Sequence, residues 1–287
     1  MKAIYKKELR GYFQGIIGWL FLFFFLLLTG IYVYVDNILG GYPYFEVVLD
    51  PMAMIFAFIV PMITMRLMAE EKKQKTDQLL LTSGVPVEKI IGGKLLAAIT
   101  LFGIALAACC LIPLVLSMYG NVNYATAYSS ILAFFLMGST YIAIGTFVSC
   151  TTEHQILAAI ITYGAIFFTM LAPGIGGVFE TDSKTAYVVF AILGIVLISV
   201  IYMLMKNTLI TVIFAVITEG PLICVKLIKP SLLEGRVADL FSAFGISSKQ
   251  SDFINGVFNL STVIYYLSII ALFYFLSVQA VKKRRWN

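Results

Sequence analysis

The side chains that could carry out chemistry are few and lie far apart in the sequence. The chain contains one histidine, His154, which follows Glu153 in a short polar turn between two apolar stretches. A lone histidine beside a glutamate is more often a helix-capping or interface residue than a catalyst, because catalysis needs further groups held in a fixed geometry. We therefore predict no catalytic residues and do not expect the chain to be an enzyme.

The run that ends Gly92-Gly93-Lys94 is the nearest approach to a phosphate-binding loop. The nucleotide-binding pattern G-x-x-x-x-G-K-[ST] needs a first glycine where this chain has Glu88, and a hydroxyl where it has Leu95. The chain is therefore not expected to bind ATP through such a loop. Any ATP-driven role requires a partner protein.

The cysteines give no sign of a metal site or a disulfide. All four fall within or at the ends of apolar stretches, and no pair has C-x-x-C spacing. They are Cys109, Cys110, Cys150 and Cys224. We predict neither a metal site nor a disulfide, and no cofactor bound by this chain.

One acidic residue, Glu219, stands in the middle of an apolar stretch and is followed by Gly220 and Pro221, which should weaken or kink a helix. A carboxylate at this depth in a bilayer is costly and should face protein or water. Glu219 is therefore a candidate for a translocation path. Alternatively, it is a protonated or hydrogen-bonded glutamate that braces its own kink, or the span is shorter than its apolar run.

Residues 69–94 form the most informative connection between apolar stretches. A charged run ends at Thr76, a credible N-cap, and a short apolar helix from about Asp77 to Leu81 is then broken at Gly84. Leucines on so short a helix have little core of their own to join. Either a groove on a partner protein receives them, or they lie on the bilayer surface or pack on the chain's own helices.

The composition is that of a membrane protein. Of the 287 residues, 61% are hydrophobic and 12% are charged, against about 25% charged in an ordinary soluble domain. The apolar stretches are long enough to cross a bilayer as helices. They lie at about 16–35, 51–68, 95–118, 128–149, 156–173, 186–205, 208–228 and 261–281. We predict an all-α polytopic bundle, with Gly103 and Ala107, and Gly138 and Gly145, as close-packing positions between helices.

The distribution of basic residues predicts the orientation. Fifteen of the 20 lysine and arginine residues lie in segments that share one side if both termini are cytoplasmic. The net charge of +5 sits in short runs beside the spans, so it suits lipid headgroups rather than nucleic acid. The hairpin 186–228 can be added or removed without inverting the rest, so charge counting is compatible with six or eight spans. The length of its two segments favours eight.

Two segments outside the spans are predicted to form surface helices. Residues 1–15 are amphipathic, and the outer segment 229–260 has apolar residues at helical spacing. The first helix has Ile4, Leu9, Tyr12 and Phe13 on one side and Lys2, Lys6, Lys7 and Arg10 on the other. The apolar residues of the second are Leu232, Leu233, Val237, Leu240, Phe241 and Phe244.

Three groups of residues carry a resemblance that spans nearly the whole chain. The first is Arg66, Ala69-Glu70-Glu71, Thr76, the leucines 79–81 and Ser83; the second is the turn Ser149 to Gln155. The third is Phe253, Asn255-Gly256, Leu260-Ser261, Tyr265-Tyr266-Leu267-Ser268 and Lys283-Arg284-Arg285-Trp286. Together they resemble the ABC-2 type permeases, the membrane subunits of ATP-driven exporters, and more narrowly the gliding-motility (Gld) type.

The resemblance implies a single membrane domain over residues 1–287, in the cell membrane of a prokaryote. It makes residues 1–15 an interfacial elbow helix and 70–86 a coupling element seated in a separate ATPase subunit. The implied coupling residues are Glu70, Glu71, Thr76, Asp77, Leu79, Leu80, Thr82, Ser83, Glu153 and His154. The implied partners are two ATPases carrying ATP and Mg, a second permease copy or paralogue, and an accessory membrane-anchored protein.

The predicted function is therefore the membrane-spanning permease of an ABC exporter. One alternative is an ATP-independent secondary transporter, which generally needs relays of mid-membrane ionisable residues, whereas Glu219 is the one convincing example here. A second alternative is a membrane assembly factor that transports nothing. The sequence does not identify the substrate.

Overall fold

A computed structural model describes residues 1–78, 84–178, 186–192, 194, 195, 198 and 234–286. Within these residues every regular element is helical. The helices are α1 (Lys2–Gln14), α2 (Ile16–Tyr32), α3 (Phe45–Thr64), α4 (Ala69–Lys73), α5 (Val87–Cys109), α6 (Ile112–Leu116), α7 (Tyr124–Thr151), α8 (Gln155–Val178), α9 (Arg236–Phe244), α10 (Ser251–Ile254) and α11 (Leu260–Trp286). A π-helical segment, Val33–Leu39, continues α2.

Six stretches of the described chain are helical, long and apolar enough to cross a membrane. They are Ile16–Leu39, Phe45–Lys73, Val87–Leu116, Tyr124–Thr151, Gln155–Val178 and Leu260–Lys283. The predicted all-α polytopic bundle is confirmed. The predicted hairpin 186–228 and Glu219 lie largely or wholly outside the described residues, so the eight-span count stays a prediction.

The observed helices extend beyond the apolar runs from which the spans were predicted. The helix α3 begins at Phe45 and includes Glu46, and α5 begins at Val87 and includes Lys94. Backbone hydrogen bonds continue a helix through polar residues, whereas hydropathy marks only the apolar part. At α5, Pro86 is the N-cap and sets the start, because proline is accepted there without loss of a helical hydrogen bond.

The chain forms two compact units, Met1–Phe168 with Lys249–Asn287, and Thr169–Ser248. In the first unit α7 is the central helix, packed against α3, α5 and α11. It is also the most deeply buried of the six spans. Its last turn contacts the segment that follows α3, through Ser149 and the Cys150 carbonyl oxygen.

Four phenylalanines from four helices meet in the centre of the first unit. Phe25 of α2, Phe56 of α3, Phe102 of α5 and Phe134 of α7 are in mutual contact, and the Phe56 and Phe102 rings stack with centroids 4.3 Å apart. Gly138 of α7 makes this possible, since a Cβ there would lie 2.3 Å from Phe102 and 2.7 Å from Phe56.

A second glycine of α7 has the same role near the end of α3. A Cβ on Gly145 would lie 2.3 Å from the Thr64 hydroxyl oxygen. The prediction of close packing is therefore confirmed for Gly138 and Gly145, because each lets a neighbouring helix approach where any side chain would collide. It is wrong for Gly103 and Ala107, since a Cβ on Gly103 would meet Phe135 at an ordinary 3.5 Å and Ala107 is exposed.

In the second unit, α9 confirms the helix predicted within residues 229–260. Val237 is buried, and it packs with Phe241 of the same helix against Ala186, Tyr187, Val189 and Phe190. Gly235 precedes the helix with φ of 72°, a conformation that favours glycine. Leu232 and Leu233 lie outside the described residues.

Substituting Gly138 should separate tight packing from general helix propensity. We expect Gly138→Ala to lower the melting temperature, since overpacking a core costs about 1–3 kcal/mol. Gly164→Ala in α8 is the matched control, because no atom of the described residues lies within 4 Å of a Cβ there. The control should be neutral or slightly stabilising. Equal melting temperatures of the two purified variants would contradict this account of the core.

Candidate coupling site

The short helix α4 follows α3 after a turn, and a hydroxyl of α7 holds its start. Ser149 Oγ accepts hydrogen bonds from the backbone N–H of Met68 at 3.0 Å and of Ala69 at 3.1 Å. It donates to the Met65 carbonyl oxygen at 3.3 Å. The first N–H groups of a helix have no partners within the helix. Ser149, itself buried, supplies the partner from another element.

A buried lysine joins α4 to two other helices. Lys94 of α5 is 1% exposed, and its Nζ lies 3.0 Å from Glu8 Oε1 of α1 and 3.0 Å from Glu71 Oε1 of α4. It also donates to the Leu67 carbonyl oxygen at 2.7 Å. Lys7 Nζ approaches the same Glu71 oxygen at 3.4 Å. We refer to Lys7, Glu8, Glu71 and Lys94 as the Lys94 cluster.

The Lys94 cluster is electrically balanced, with two ammonium groups and two carboxylates. Balance matters here because Glu8 and Glu71 side chains are only 18% and 15% exposed. A buried charge is tolerated when it is paired and hydrogen-bonded, and removal of one partner is strongly destabilising. The cluster therefore fixes the position of α4 relative to α1 and α5.

A second lysine fastens α4 to α7. Lys72 is 5% exposed, and its Nζ donates to the carbonyl oxygen of Cys150. Cys150 lies in the last turn of α7, where carbonyl groups lack partners within the helix and attract cations. Together with Ser149 and the Lys94 cluster, this contact binds α4 to α7, α1 and α5.

The helix α4 is terminated by Lys75, whose backbone is in the left-handed conformation. Lys75 has φ of 58°, the Lys75 N–H donates to the Lys72 carbonyl oxygen at 3.1 Å, and the Thr76 N–H donates to the Glu71 carbonyl oxygen at 2.9 Å. This pair of bonds is a Schellman motif, in which glycine is the usual left-handed residue. The Thr76 hydroxyl donates to the same Glu71 oxygen at 3.3 Å. A cap by Thr76 on the next helix stays a prediction.

The amphipathic α1 confirms the predicted N-terminal helix and lies against α5 and α3. Tyr5 donates to Thr100 Oγ1 at 3.2 Å, and Tyr12 donates to the Ile63 carbonyl oxygen at 3.3 Å. Burial raises the pKa of the Tyr12 phenol above its ordinary value, and the Glu8 carboxylate raises it further. The phenol therefore stays protonated and keeps its donor. Gly93 allows the close approach, since a Cβ there would lie 3.1 Å from Ile4.

The C-terminal helix α11 reaches the same end of the bundle. Lys282 forms an ion pair with Glu88, and Tyr274 donates to the Glu88 carbonyl oxygen at 2.9 Å. Beside these contacts lies an apolar cluster from four elements. Its buried members are Met68, Val87, Ile91, Cys150, Val278 and Val281. The basic N-terminal, central and C-terminal segments thus meet at one end, as the charge distribution predicts.

The predicted second cytoplasmic turn is short and adjoins α4. The helix α7 ends at Thr151 and α8 begins at Gln155, and the His154 carbonyl oxygen accepts from the Ala158 N–H at 2.9 Å. His154 and Lys73 line one groove of about 390 Å³. Its other lining residues are Gln155, Ile156, Leu157 and Ile160. Glu153 and His154 are both exposed.

The structure brings together part of the predicted coupling set. Glu70, Glu71 and Thr76 lie on α4 or its closing turn, and Glu70 Oε2 lies 3.8 Å from Arg66 Nε. Asp77 follows directly and is 2% exposed. Four other members of the set lie outside the described residues. They are Leu79, Leu80, Thr82 and Ser83.

Sequence reasoning missed the residues that hold α4 in place. In the sequence, Lys94 belongs to an incomplete phosphate-binding pattern, and no motif marks Glu8 or Ser149 as a site residue. A usable signal existed, because a lysine within an apolar helix needs an acidic or carbonyl partner. An apolar groove of about 560 Å³ lies between α2 and α3, and Met62 and Met65 help to line it. The sequence did not predict this groove.

Comparison with known protein families agrees with this arrangement. The profile of the family described as ABC-2 family transporter protein matches residues 34–218, which is well over half of the chain. No curated protein matches the chain closely enough to serve as a relative. The matched stretch includes α3, α4, α5 and α7. The chain therefore belongs to the ABC-2 family of transporter proteins and is the multi-pass membrane subunit, the permease, of an ABC transporter.

Proposed function

We propose that this permease is an exporter subunit, driven by a separate ATPase that docks on α4, residues 77–83 and the turn 152–154. Permeases of the ABC-2 family generally pair with ABC ATPase subunits. The direction of transport follows from the resemblance of the motifs around Glu70-Glu71 and at the C-terminus to those of exporters. Transport is the function of the family, and the energy source and direction are the proposal.

The observation that carries the proposal is the attachment of α4. A five-residue helix cannot be stable by itself in water. Here Ser149, the Lys94 cluster and Lys72 bind it to α7, α1 and α5. A helix attached to several spans transmits a displacement to all of them, whereas a loose loop would absorb it.

The exposed side of α4 and its closing turn supports docking of a partner. Lys73, Gln74 and Lys75 are exposed, while Ala69 and Lys72 are buried against the bundle. Lys73 also borders the groove at His154. A partner bound there would contact the first and second connecting segments together. Leu79 and Leu80 follow within a few residues and would supply the apolar part of the contact.

In the proposed cycle, ATP binding closes two partner ATPases and displaces α4. The Lys94 cluster would pass the displacement to α1 and α5, and Ser149 with Lys72 would pass it to α7. Because α7 packs on α3, α5 and α11, the spans would move together and change access to the path. The rest of the proposed assembly is a second permease copy or paralogue and a membrane-anchored accessory protein, in a prokaryotic cell membrane. The narrower likeness to gliding-motility permeases stays a prediction.

Charged substitutions at Leu79 and Leu80 test the docking of the ATPase. We expect the double variant Leu79→Asp, Leu80→Asp to insert normally but to lose the ATPase on pull-down from detergent. Burial of each leucine contributes about 1.5–3 kcal/mol, so loss of both would weaken binding at least a hundredfold. The control Leu79→Met, Leu80→Met keeps apolar volume and should retain the complex. Normal binding and transport by the aspartate variant would reject this segment as the docking element.

Lys94→Met tests whether the Lys94 cluster transmits the motion. The variant leaves Glu8 and Glu71 without their buried cation and with only Lys7 nearby, so we expect a lower melting temperature. We also expect a severalfold loss of the ATP hydrolysis that the permease stimulates in its ATPase in reconstituted vesicles. Lys89→Met is the matched control, because Lys89 is exposed on the same helix. It should leave both measurements unchanged.

A third variant separates stability from coupling. Lys94→Met leaves two carboxylates with only the Lys7 ammonium group, and the further change Glu71→Gln removes one of those carboxylates, so the double variant should recover part of the lost melting temperature. Stimulated hydrolysis should stay low, because the ionic link between α4 and α5 is still missing. Recovery of hydrolysis in parallel with stability would assign the cluster to folding alone.

A further inference from the structure

A further pocket, distinct from the two grooves described above, lies at the end of the spans opposite α4. It has a volume of about 380 Å³ and is lined by the π-helical segment and the loop that follows it. Its polar residues are Asp36 and Asn37, and its walls include Val35, Val47, Tyr42 and Tyr44. The 20 residues of α3 place this pocket about 30 Å from the coupling site.

Asn37 carries a buried acceptor that none of the described residues uses. The residue is 6% exposed, and its Nδ2 donates to the Tyr42 carbonyl oxygen at 2.7 Å. That bond fixes the orientation of the amide, because the opposite orientation would place two oxygens against each other. Asn37 Oδ1 is then buried and has no hydrogen-bond partner among the described residues. Such an atom is costly unless a ligand or water donates to it.

The surroundings of this acceptor are negatively charged. Asp36 is the neighbouring residue and lines the same pocket. Residues 36–50 contain three acidic residues, Asp36, Glu46 and Asp50, and no lysine or arginine. The pocket therefore favours a cationic group that can also donate a hydrogen bond.

Asp36 and Asn37 belong to a π-helical segment, Val33–Leu39, that ends at Gly40. The Gly40 N–H donates to the Val35 carbonyl oxygen, five residues earlier, at 3.0 Å. A Cβ on Gly40 would lie 2.4 Å from the Asp36 carbonyl oxygen, so the tight end of this segment requires glycine. Short π-helical segments are rare and occur frequently at functional sites.

We propose that this pocket binds the ammonium group of an organic amine. One N–H would donate to Asn37 Oδ1, Asp36 would balance the charge, and the apolar and aromatic walls would contact the carbon skeleton. Tyrosine rings also attract cations through their faces. A divalent metal is a poorer fit, because one carboxylate and one amide oxygen fall short of the six or more oxygen ligands that calcium takes. The proposal is independent of how the permease is energised.

The test compares benzylammonium with benzyl alcohol, which has the same ring and no charge. Binding to the purified permease in detergent is measured by saturation-transfer NMR titration. We expect benzylammonium to bind at least about tenfold more tightly, the factor that 1.4 kcal/mol represents. Asp36→Asn should remove most of this preference and leave the weak binding of benzyl alcohol and the melting temperature unchanged, which shows that this variant is folded. Asn37→Leu should weaken the binding of both ligands, because the alcohol O–H can also donate to Asn37 Oδ1.

Asp50→Asn is the matched control, since Asp50 is an exposed acidic residue of the same segment that does not line the pocket. It should keep the full preference for benzylammonium. Equal binding of the amine and the alcohol to the unmodified protein would reduce the pocket to a hydrated apolar crevice and overturn the proposal. Equal loss in all three variants would show general charge attraction instead, and competition by sodium at equal concentration would show a site for inorganic cations.

Discussion

The end of the bundle that carries α4 depends on the contacts of the Lys94 ammonium group. One buried charge is shared by Glu8 of α1, Glu71 of α4 and the Leu67 carbonyl oxygen in the turn between α3 and α4, so three segments are bound through a single atom of α5. A five-residue helix is not stable by itself in water, so α4 stays in one place through these contacts together with those of Ser149 and Lys72. The balance of charge also constrains the N-terminal helix, because α1 supplies both a carboxylate and the second ammonium group.

The helix α7 forms the packed centre of the first unit and also binds α4. In its middle, Gly138 lets the rings of Phe56 and Phe102 pack against the backbone. In its last turns, Ser149 and the Cys150 carbonyl oxygen bind the backbone of residues 65–69 and the side chain of Lys72. A displacement of α4 therefore acts on the helix that packs against three of the other spans.

The two ends of the spans differ in charge and in how their polar groups are satisfied. At the end that carries α4, the buried lysines are paired with glutamates or with helix carbonyls, so the buried charges are compensated and the helices are held together. At the opposite end, residues 36–50 carry only acidic charge, and the buried Asn37 oxygen has no donor among the described residues. The first arrangement suits the transmission of force between helices, and the second suits the binding of a cationic group.

By itself the sequence determined the membrane bundle, the amphipathic N-terminal helix, the short turn before Gln155 and the surface helix that ends at Phe244. These follow from apolar length and helical periodicity, which are properties of neighbouring residues. Tertiary structure decided what holds α4. Lys94 and Glu8 are 86 residues apart, and Ser149 and Met68 are 81 apart, so no local pattern relates them. Hydropathy counts Lys94 only as an interruption of an apolar span. In the folded chain the same lysine joins α1, α4 and α5. A buried ammonium group needs carboxylate and carbonyl partners, and the tertiary structure determines which residues supply them.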